Sequence, residues 1–278
     1  LEAYRLGLPV IPRAEMLAEL MRFKEGILVA GSHGKTTTTS LIASLLSYGG
    51  LDPTAVIGGR FENFGTGGKL GSGEFFVAEA DESDGSFFKL QPTIAVVTNI
   101  DPEHLDHYGS IDNLMNAFRC FVEKVPFYGL SVICGDHPRT RELARLLSKR
   151  YWLYGISEGN DVYGRVLEKK KGSTCMEVFF RGKSLGIVNF PLWGDHNIRN
   201  VLAAIAVGLE VGLEFSDIEK GLANFKGVKR RFEIKGRVGN TIFVDDYGHH
   251  PEEIKATLRA AREFWNGRIV VVFQPHRY

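Results

Sequence analysis

The sequence predicts an α/β protein: a P-loop-type central domain on a mostly parallel sheet with added antiparallel hairpins, followed by the start of a second domain. Three observations predict it. Short apolar runs alternate with segments of helical period through the first half of the chain. A Gly-rich turn stands directly between the first apolar run and the first helix. The alternation then gives way to strand-like stretches between Val162 and Phe190, and a hairpin and βαβ pattern restarts near residue 227.

Each element has its own warrant. Gly26 to Ala30 reads as a short buried strand, and the helix after it carries Leu41, Ile42, Leu45 and Leu46 on one face. Phe75 to Ala78 and Thr93 to Thr98 are further buried strands. Ser110 caps a helix with Ile111, Leu114, Met115, Phe118 and Val122 at helical spacing. A strand is expected at Leu130–Cys134, a helix over 139–149 and another strand at Tyr151–Tyr154. The run Lys169-Lys170-Lys171-Gly172 is expected to be a solvated turn between hairpin strands. Helices follow over 197–212 and 216–225, then strands 232–238 and 241–244, a helix over 252–264 and a strand over 268–273.

Composition excludes several classes. The chain has 278 residues, room for one large domain or two ordinary ones. With 44% hydrophobic and 24% charged residues it is no disordered tail, coiled coil or disulfide-stapled mini-protein. Its 34 basic and 33 acidic residues leave a net charge of +1, which argues against a sequence-independent nucleic-acid binder. The apolar run Ile269 to Phe273 is far short of the ~20 residues that span a bilayer, so no membrane insertion is expected. Cys120, Cys134 and Cys175 lie in apolar stretches without metal-ligand spacing, and are expected to be buried thiols in a reducing compartment.

The strongest chemical signal is Gly31-Ser32-His33-Gly34-Lys35-Thr36-Thr37 between a strand and a helix. Glycines let backbone N–H groups close around phosphate oxygens, and the helix N-terminus adds a positive dipole. Lys35 is placed to reach the β- and γ-phosphates of ATP and Thr36 to ligate Mg²⁺. The full P-loop pattern has a further Gly where this chain has Val29. A capped helix on a Gly turn reads the same way locally, but the strand before and the helix after favour a nucleotide site.

Glu79 stands just past a strand, where ligands bind in this architecture, and opens the acidic stretch Ala78 to Asp84. His104 follows the next strand in Asn99-Ile100-Asp101-Pro102-Glu103-His104 and is the candidate second-metal ligand. Gly194-Asp195-His196-Asn197 opens another helix, whereas Gly135-Asp136-His137 lacks the following Asn pair and reads only as a turn. Asp245-Asp246-Tyr247-Gly248-His249-His250 gathers charge at a strand end, where packing alone does not explain it.

Taken together, GSHGKTTTTS at 31–40, EADESDGSF at 79–87, TNIDPEHLDHY at 98–108, GDHNIRN at 194–200, RRFE at 230–233, DDYGHHP at 245–251 and FQPHRY at 273–278 resemble the Mur ligase family. EADESDGSF, DDYGHHP and FQPHRY resemble its alanine-adding branch, and residues 9–17 resemble the linker preceding its P-loop. The resemblance implies three regions. Residues 1–24 would be a linker from an absent N-terminal UDP-substrate domain, 25–226 a central ATP-binding domain, and 227–278 part of a Rossmann-like C-terminal ligase domain. The chain starts at Leu1 and stops just after a strand-like run, so both ends read as cut and the piece is expected to be an impaired catalyst.

The implied activity is ATP-dependent amide formation between L-alanine and UDP-N-acetylmuramate, in the cytoplasm, for peptidoglycan precursors. ATP would phosphorylate the lactyl carboxylate, and the amine of L-alanine would displace phosphate from the acyl phosphate. The resemblance gives Lys35, Glu79, His104 and Arg231 catalytic roles and Thr36, Glu79 and His104 the Mg²⁺ contacts. It gives Gly31, Ser32, His33, Gly34, Lys35, Thr36, Thr37, His196, Asn197, Asn200, Arg231 and Asp246 to ATP, and Tyr247, His249, His276 and Arg277 to substrate. Two departures stand out. Gly65 to Gly71 lacks the Asn-Ala pair often found there, and the helix around Asn116–Phe121 has no lysine to carbamylate. The rival readings are a sibling ligase that adds a cell-wall tripeptide and a P-loop nucleotide-binding module without ligase activity.

Overall fold

The computed structural model describes residues 2–58, 67–170 and 172–275. Two helices, α1 (Glu2–Arg5) and α2 (Arg13–Met21), lead into β1 (Glu25–Ala30) and α3 (Lys35–Tyr48). Then come β2 (Thr54–Val56), β3 (Gly68–Lys69), β4 (Phe75–Glu79), a 3₁₀ turn at Ser86–Lys89 and β5 (Ile94–Val97). Next are α4 (Leu105–Tyr108), α5 (Ile111–Val122), β6 (Leu130–Cys134), α6 (Pro138–Arg145) and β7 (Tyr151–Gly155). The long strands β8 (Val162–Lys170), β9 (Ser173–Phe180) and β10 (Lys183–Phe190) precede α7 (Asp195–Glu210) and α8 (Phe215–Ala223). The chain closes with β11 (Glu233–Val238), β12 (Thr241–Asp245) and α9 (Pro251–Phe264).

Among the described residues, ten strands form one sheet in the order β10-β9-β8-β7-β6-β5-β1-β4-β2-β3, and β11 pairs with β12 in a separate hairpin. From β2 through β8 every neighbouring pair is parallel. β3 adds antiparallel to one end, and β9 and β10 extend the other end antiparallel. β1 lies between β4 and β5, so the chain leaves β1 for one side of the sheet and later returns to the other. That reversal opens a crevice at the carboxyl ends of these strands, the place where such sheets bind ligands.

Both sheet faces are covered. One core gathers α3, α7 and α8 through Leu41, Leu45, Leu202, Ile205 and Ile218. The other gathers α5 and the 3₁₀ turn through Phe87, Leu114, Phe118 and Phe121, and reaches Met21 of α2. Each fully buried Leu, Ile or Phe contributes roughly 1.5–3 kcal/mol. α3 is buried along most of its length, which forces its hydroxyls to find partners. Thr39 Oγ1 donates to the Lys35 carbonyl at 2.8 Å and Ser40 Oγ to the Thr36 carbonyl at 2.7 Å. Ser110 caps α5 by accepting from the Asn113 N–H.

Several sequence expectations need correction. Residues 268–273 form no strand, and Val272 is 96% exposed. β-Branched residues supply propensity, but a strand exists only by pairing, and among the described residues the β11–β12 hairpin has no third strand. α6 stops at Arg145 instead of reaching 149. Cys120 is exposed, because the buried face of α5 is defined by Leu114, Ala117, Phe118 and Phe121; only Cys134 is fully buried. Lys169 is not merely solvated: its ammonium lies 3.0 Å from both Asp195 and Glu263, tying β8 to α7 and α9. Among the described residues no helix is long and apolar enough to cross a membrane.

Candidate active site

The Gly loop 31–34 sits at the switch point and is tied to the segment after β5. Asn99 is the anchor: its side-chain oxygen accepts from the His33 N–H at 2.8 Å and its amide donates to the His33 carbonyl at 3.0 Å. Thr98 Oγ1 donates to the same carbonyl at 2.6 Å. Gly31 and Gly34 are required by space as well as by positive φ. A Cβ on Gly31 would lie 2.1 Å from Thr98 Oγ1, and one on Gly34 2.7 Å from Asn200 Oδ1.

Helix α3 begins at Lys35, and its first two side chains diverge. The Thr36 hydroxyl donates to Glu79 Oε2 at 3.2 Å, while Glu79 Oε1 accepts from the Gly58 N–H at 2.6 Å. Lys35 instead lies along the loop, donating to the Gly31 carbonyl at 2.7 Å and to both oxygens of Glu82 at 2.8 and 2.9 Å. Burial works against the Lys35 charge, but Glu82 and the nearby Asp81 and Glu79 outweigh it and raise its pKa. Lys35 lines neither of the two cavities described next.

The larger cavity, about 870 Å³, brings Thr36, Glu79 and Asp81 together with Lys229, Arg230 and Arg231. A hydroxyl–carboxylate pair therefore shares one space with a cationic connector. That connector is held in unusual backbone geometry, with φ of 58° at Arg230 and 53° at Phe232. Cross-links hold it: the Phe232 N–H donates to Asp246 Oδ2 at 2.8 Å and the Tyr247 N–H to the Arg230 carbonyl at 2.7 Å. The Arg230 and Arg231 guanidiniums lie 4.7 and 5.8 Å from the Tyr247 ring centre.

The smaller cavity, about 330 Å³, is lined by His196, Asn197, Asn200 and Asp246, and Arg231 borders both cavities. The two Asn amides are ordered in series: Asn197 donates to the Trp193 carbonyl at 2.8 Å, and Asn200 donates to Asn197 Oδ1 at 3.2 Å. Burial holds the His196 pKa below its ordinary value, which favours the neutral imidazole.

Sequence reading missed part of this wall. Asp136 and His137 line the smaller cavity, so Gly135-Asp136-His137 is more than a turn. Asp136 accepts from the Ile156 N–H at 2.6 Å and from Arg199 Nε at 3.0 Å. Burial opposes its charge, but these donors hold its carboxyl below the usual range. The signal was available: the motif stands at the end of β6, on the same sheet edge as the Gly loop.

Other predicted residues are placed apart. His104 opens α4 with φ of 55°, its Nε2 3.9 Å from Glu103 Oε2, and lines neither cavity. Tyr247 lines the larger cavity, while His249 is exposed beside it, its Nδ1 3.2 Å from the Tyr247 carbonyl. His276 and Arg277 lie outside the described residues, as do Gly65 and Thr66. His33 belongs to the lining of the smaller cavity, and its imidazole meets Asp101 at 3.4 Å, Glu103 at 3.0 Å and Glu253 at 3.5 Å. Burial opposes its charge, yet these carboxylates push its pKa up to about 11.

Residues 29–208 match the Mur ligase middle domain, and residues 230–277 match the Mur ligase glutamate ligase domain. The UDP-N-acetylmuramate–L-alanine ligase of Geotalea daltonii is 53% identical over 278 residues, covering 100% of this chain and 61% of that protein. The structure of UDP-N-acetylmuramate-alanine ligase from Thermotoga maritima matches with a TM-score of 0.87 at 29% identity, over 99% of this chain and 63% of that one. The UDP-N-acetylmuramate:L-alanyl-gamma-D-glutamyl-meso-diaminopimelate ligase from Neisseria meningitides matches with a TM-score of 0.73 at 31% identity, over 82% of this chain and 75% of that one. The chain spans about 60% of the length of the curated relatives it matches.

Proposed function

The chain belongs to the Mur ligase family, and from that premise we propose that it carries the ATP site of a cytoplasmic enzyme joining L-alanine to UDP-N-acetylmuramate. One observation carries the reading. Arg231 borders both cavities, linking the Thr36–Glu79 pair to the space lined by His196, Asn197, Asn200 and Asp246. A nucleotide laid with its base end in the smaller cavity would direct its phosphates past Arg231 towards the Gly loop. Residues 1–24 act as a linker, 25–226 as the ATP-binding domain and 227–278 as part of the ligase domain.

The chemistry asks two anions to meet. A lactyl carboxylate oxygen attacks the γ-phosphorus of ATP, the bond to the β-bridging oxygen breaks, and ADP leaves. The amine of L-alanine then attacks the acyl carbon. The tetrahedral intermediate collapses, phosphate departs with the former carboxylate oxygen, and the nitrogen loses a proton. Phosphorylation is needed because a carboxylate is anionic and has no good leaving group. Lys229, Arg230 and Arg231 place positive charge where the two anions would meet, stabilising the transferring phosphoryl group. Lys35 would add its ammonium from the loop by exchanging Glu82 for phosphate. Tyr247 and His249 would border the alanine, and the family resemblance also assigns His276 and Arg277 to substrate.

The Thr36 hydroxyl and the Glu79 carboxylate offer the hard oxygen donors that suit Mg²⁺, with Glu79 oriented by the Gly58 N–H. Bound there, Mg²⁺ would supply charge neutralisation for the phosphates. His104 does not line the cavity that holds Glu79.

Phosphate release by the full-length protein, given ATP, Mg²⁺ and UDP-N-acetylmuramate, tests the proposal. L-Alanine is expected to drive release, and a cell-wall tripeptide is not. Release driven by the tripeptide alone would assign the sibling activity. ATP binding with no acceptor-dependent release would leave a nucleotide-binding module.

A further inference from the structure

We propose that His33, Glu103 and His250 form a binding site for a transition-metal dication of the zinc class, separate from the Thr36–Glu79 oxygen pair. The three residues come from distant parts of the chain: the Gly loop, the segment after β5 and the N-cap of α9. They converge on one carboxylate oxygen. His33 Nε2 lies 3.0 Å and His250 Nδ1 2.9 Å from Glu103 Oε1, and all three atoms lie within 4.8 Å of one another.

The same three atoms are buried and, among the described residues, lack a hydrogen-bond partner of proper alignment. Buried polar atoms without partners are uncommon, and three gathered this closely call for something between them. Donors bound to one zinc-class ion at ~2.0–2.2 Å stand roughly 3.0–3.5 Å apart, close to the two histidine–Glu103 distances here. The surroundings fit too. His33 Nδ1, the ring nitrogen turned away from Glu103, faces Glu253 Oε1 at 3.5 Å. Metal-bound histidines characteristically present their second nitrogen to a carboxylate, which fixes the ring. Two imidazoles and one carboxylate favour zinc, cobalt or nickel over Mg²⁺, which prefers oxygen. The site is therefore not a competitor for the magnesium of ligation, and the inference does not rest on the ligase reading. An ion there would tie α9 to the Gly loop.

The rival account is a charged His33 held by Asp101, Glu103 and Glu253, which predicts no uptake of metal. Calorimetric titration of the EDTA-treated chain with ZnCl₂ in excess MgCl₂ separates the two. The expected result is one zinc bound per chain through this cluster. Co²⁺ in its place should give visible absorption bands typical of nitrogen ligation. His250→Ala and Glu103→Gln should each weaken zinc binding about tenfold or more, while His107→Ala, on α4, should leave it unchanged. Circular dichroism checks that each variant folds; if His250→Ala does not, the isosteric Glu103→Gln decides. No stoichiometric uptake by the wild-type chain, no cobalt bands, or wild-type affinity in a folded Glu103→Gln variant would overturn the proposal.

Discussion

A buried charge requires a partner, and Lys35 has one in Glu82, whose side chain is 1% exposed. Removing one member of such a pair leaves the other uncompensated, at a cost of about 3–5 kcal/mol. Glu82→Gln should therefore lower the urea midpoint, and, if phosphate exchanges with Glu82 on Lys35, it should tighten ATP binding in the same protein. Loss of stability with weakened ATP binding would reject that exchange. His196 gives a pH prediction. Its folded pKa lies below the ordinary 6.5, so its burial contributes stability that is complete above that value and is lost as pH falls through it. Stability measured in urea should decline below pH ~6.5, and His196→Gln should flatten that part of the slope. At this scale the sequence was partly legible. That Thr36 and Glu79 line one space was foreseeable, because each follows closely on the end of a strand carrying a motif. The Lys35–Glu82 pair could not, since nothing in the sequence tells which of four clustered acids turns inward.

Elements were easier to read where periodicity and neighbours agree. The parallel strands β1, β4, β5 and β6 are continuous apolar runs because helices cover both their faces. β2 and β3 were missed because a strand of three residues and one of two leave no period to detect. The run 268–273 was over-read for the opposite reason: its composition is right, but no ladder holds it. Packing between α7 and α3 is the element-level hinge of the site, because α7 presents His196, Asn197 and Asn200 while α3 begins at the Gly loop. Ile205 of α7 is fully buried in the core shared with α3. Ile205→Ala should cost about 2–5 kcal/mol in urea unfolding. An unchanged midpoint would show that the layer re-packs freely.

For the molecule as a whole, the fold places an acidic and hydroxyl edge, supplied by the first turn of α3 and the end of β4, against a basic connector supplied by residues 229–231. That opposition of charge is the physical core of the functional account, since it is what lets a carboxylate and a triphosphate approach. The fold class was legible from the alternation of apolar runs with helical segments, whereas the shared cavity depends on how the connector turns back through its positive-φ residues, which no local pattern announces. The most direct test follows the oxygen. In the full-length protein, UDP-N-acetylmuramate labelled with ¹⁸O in its carboxylate should transfer one labelled oxygen to the phosphate released with L-alanine. Phosphate free of label would contradict activation of the carboxylate by ATP, and with it the account of this site.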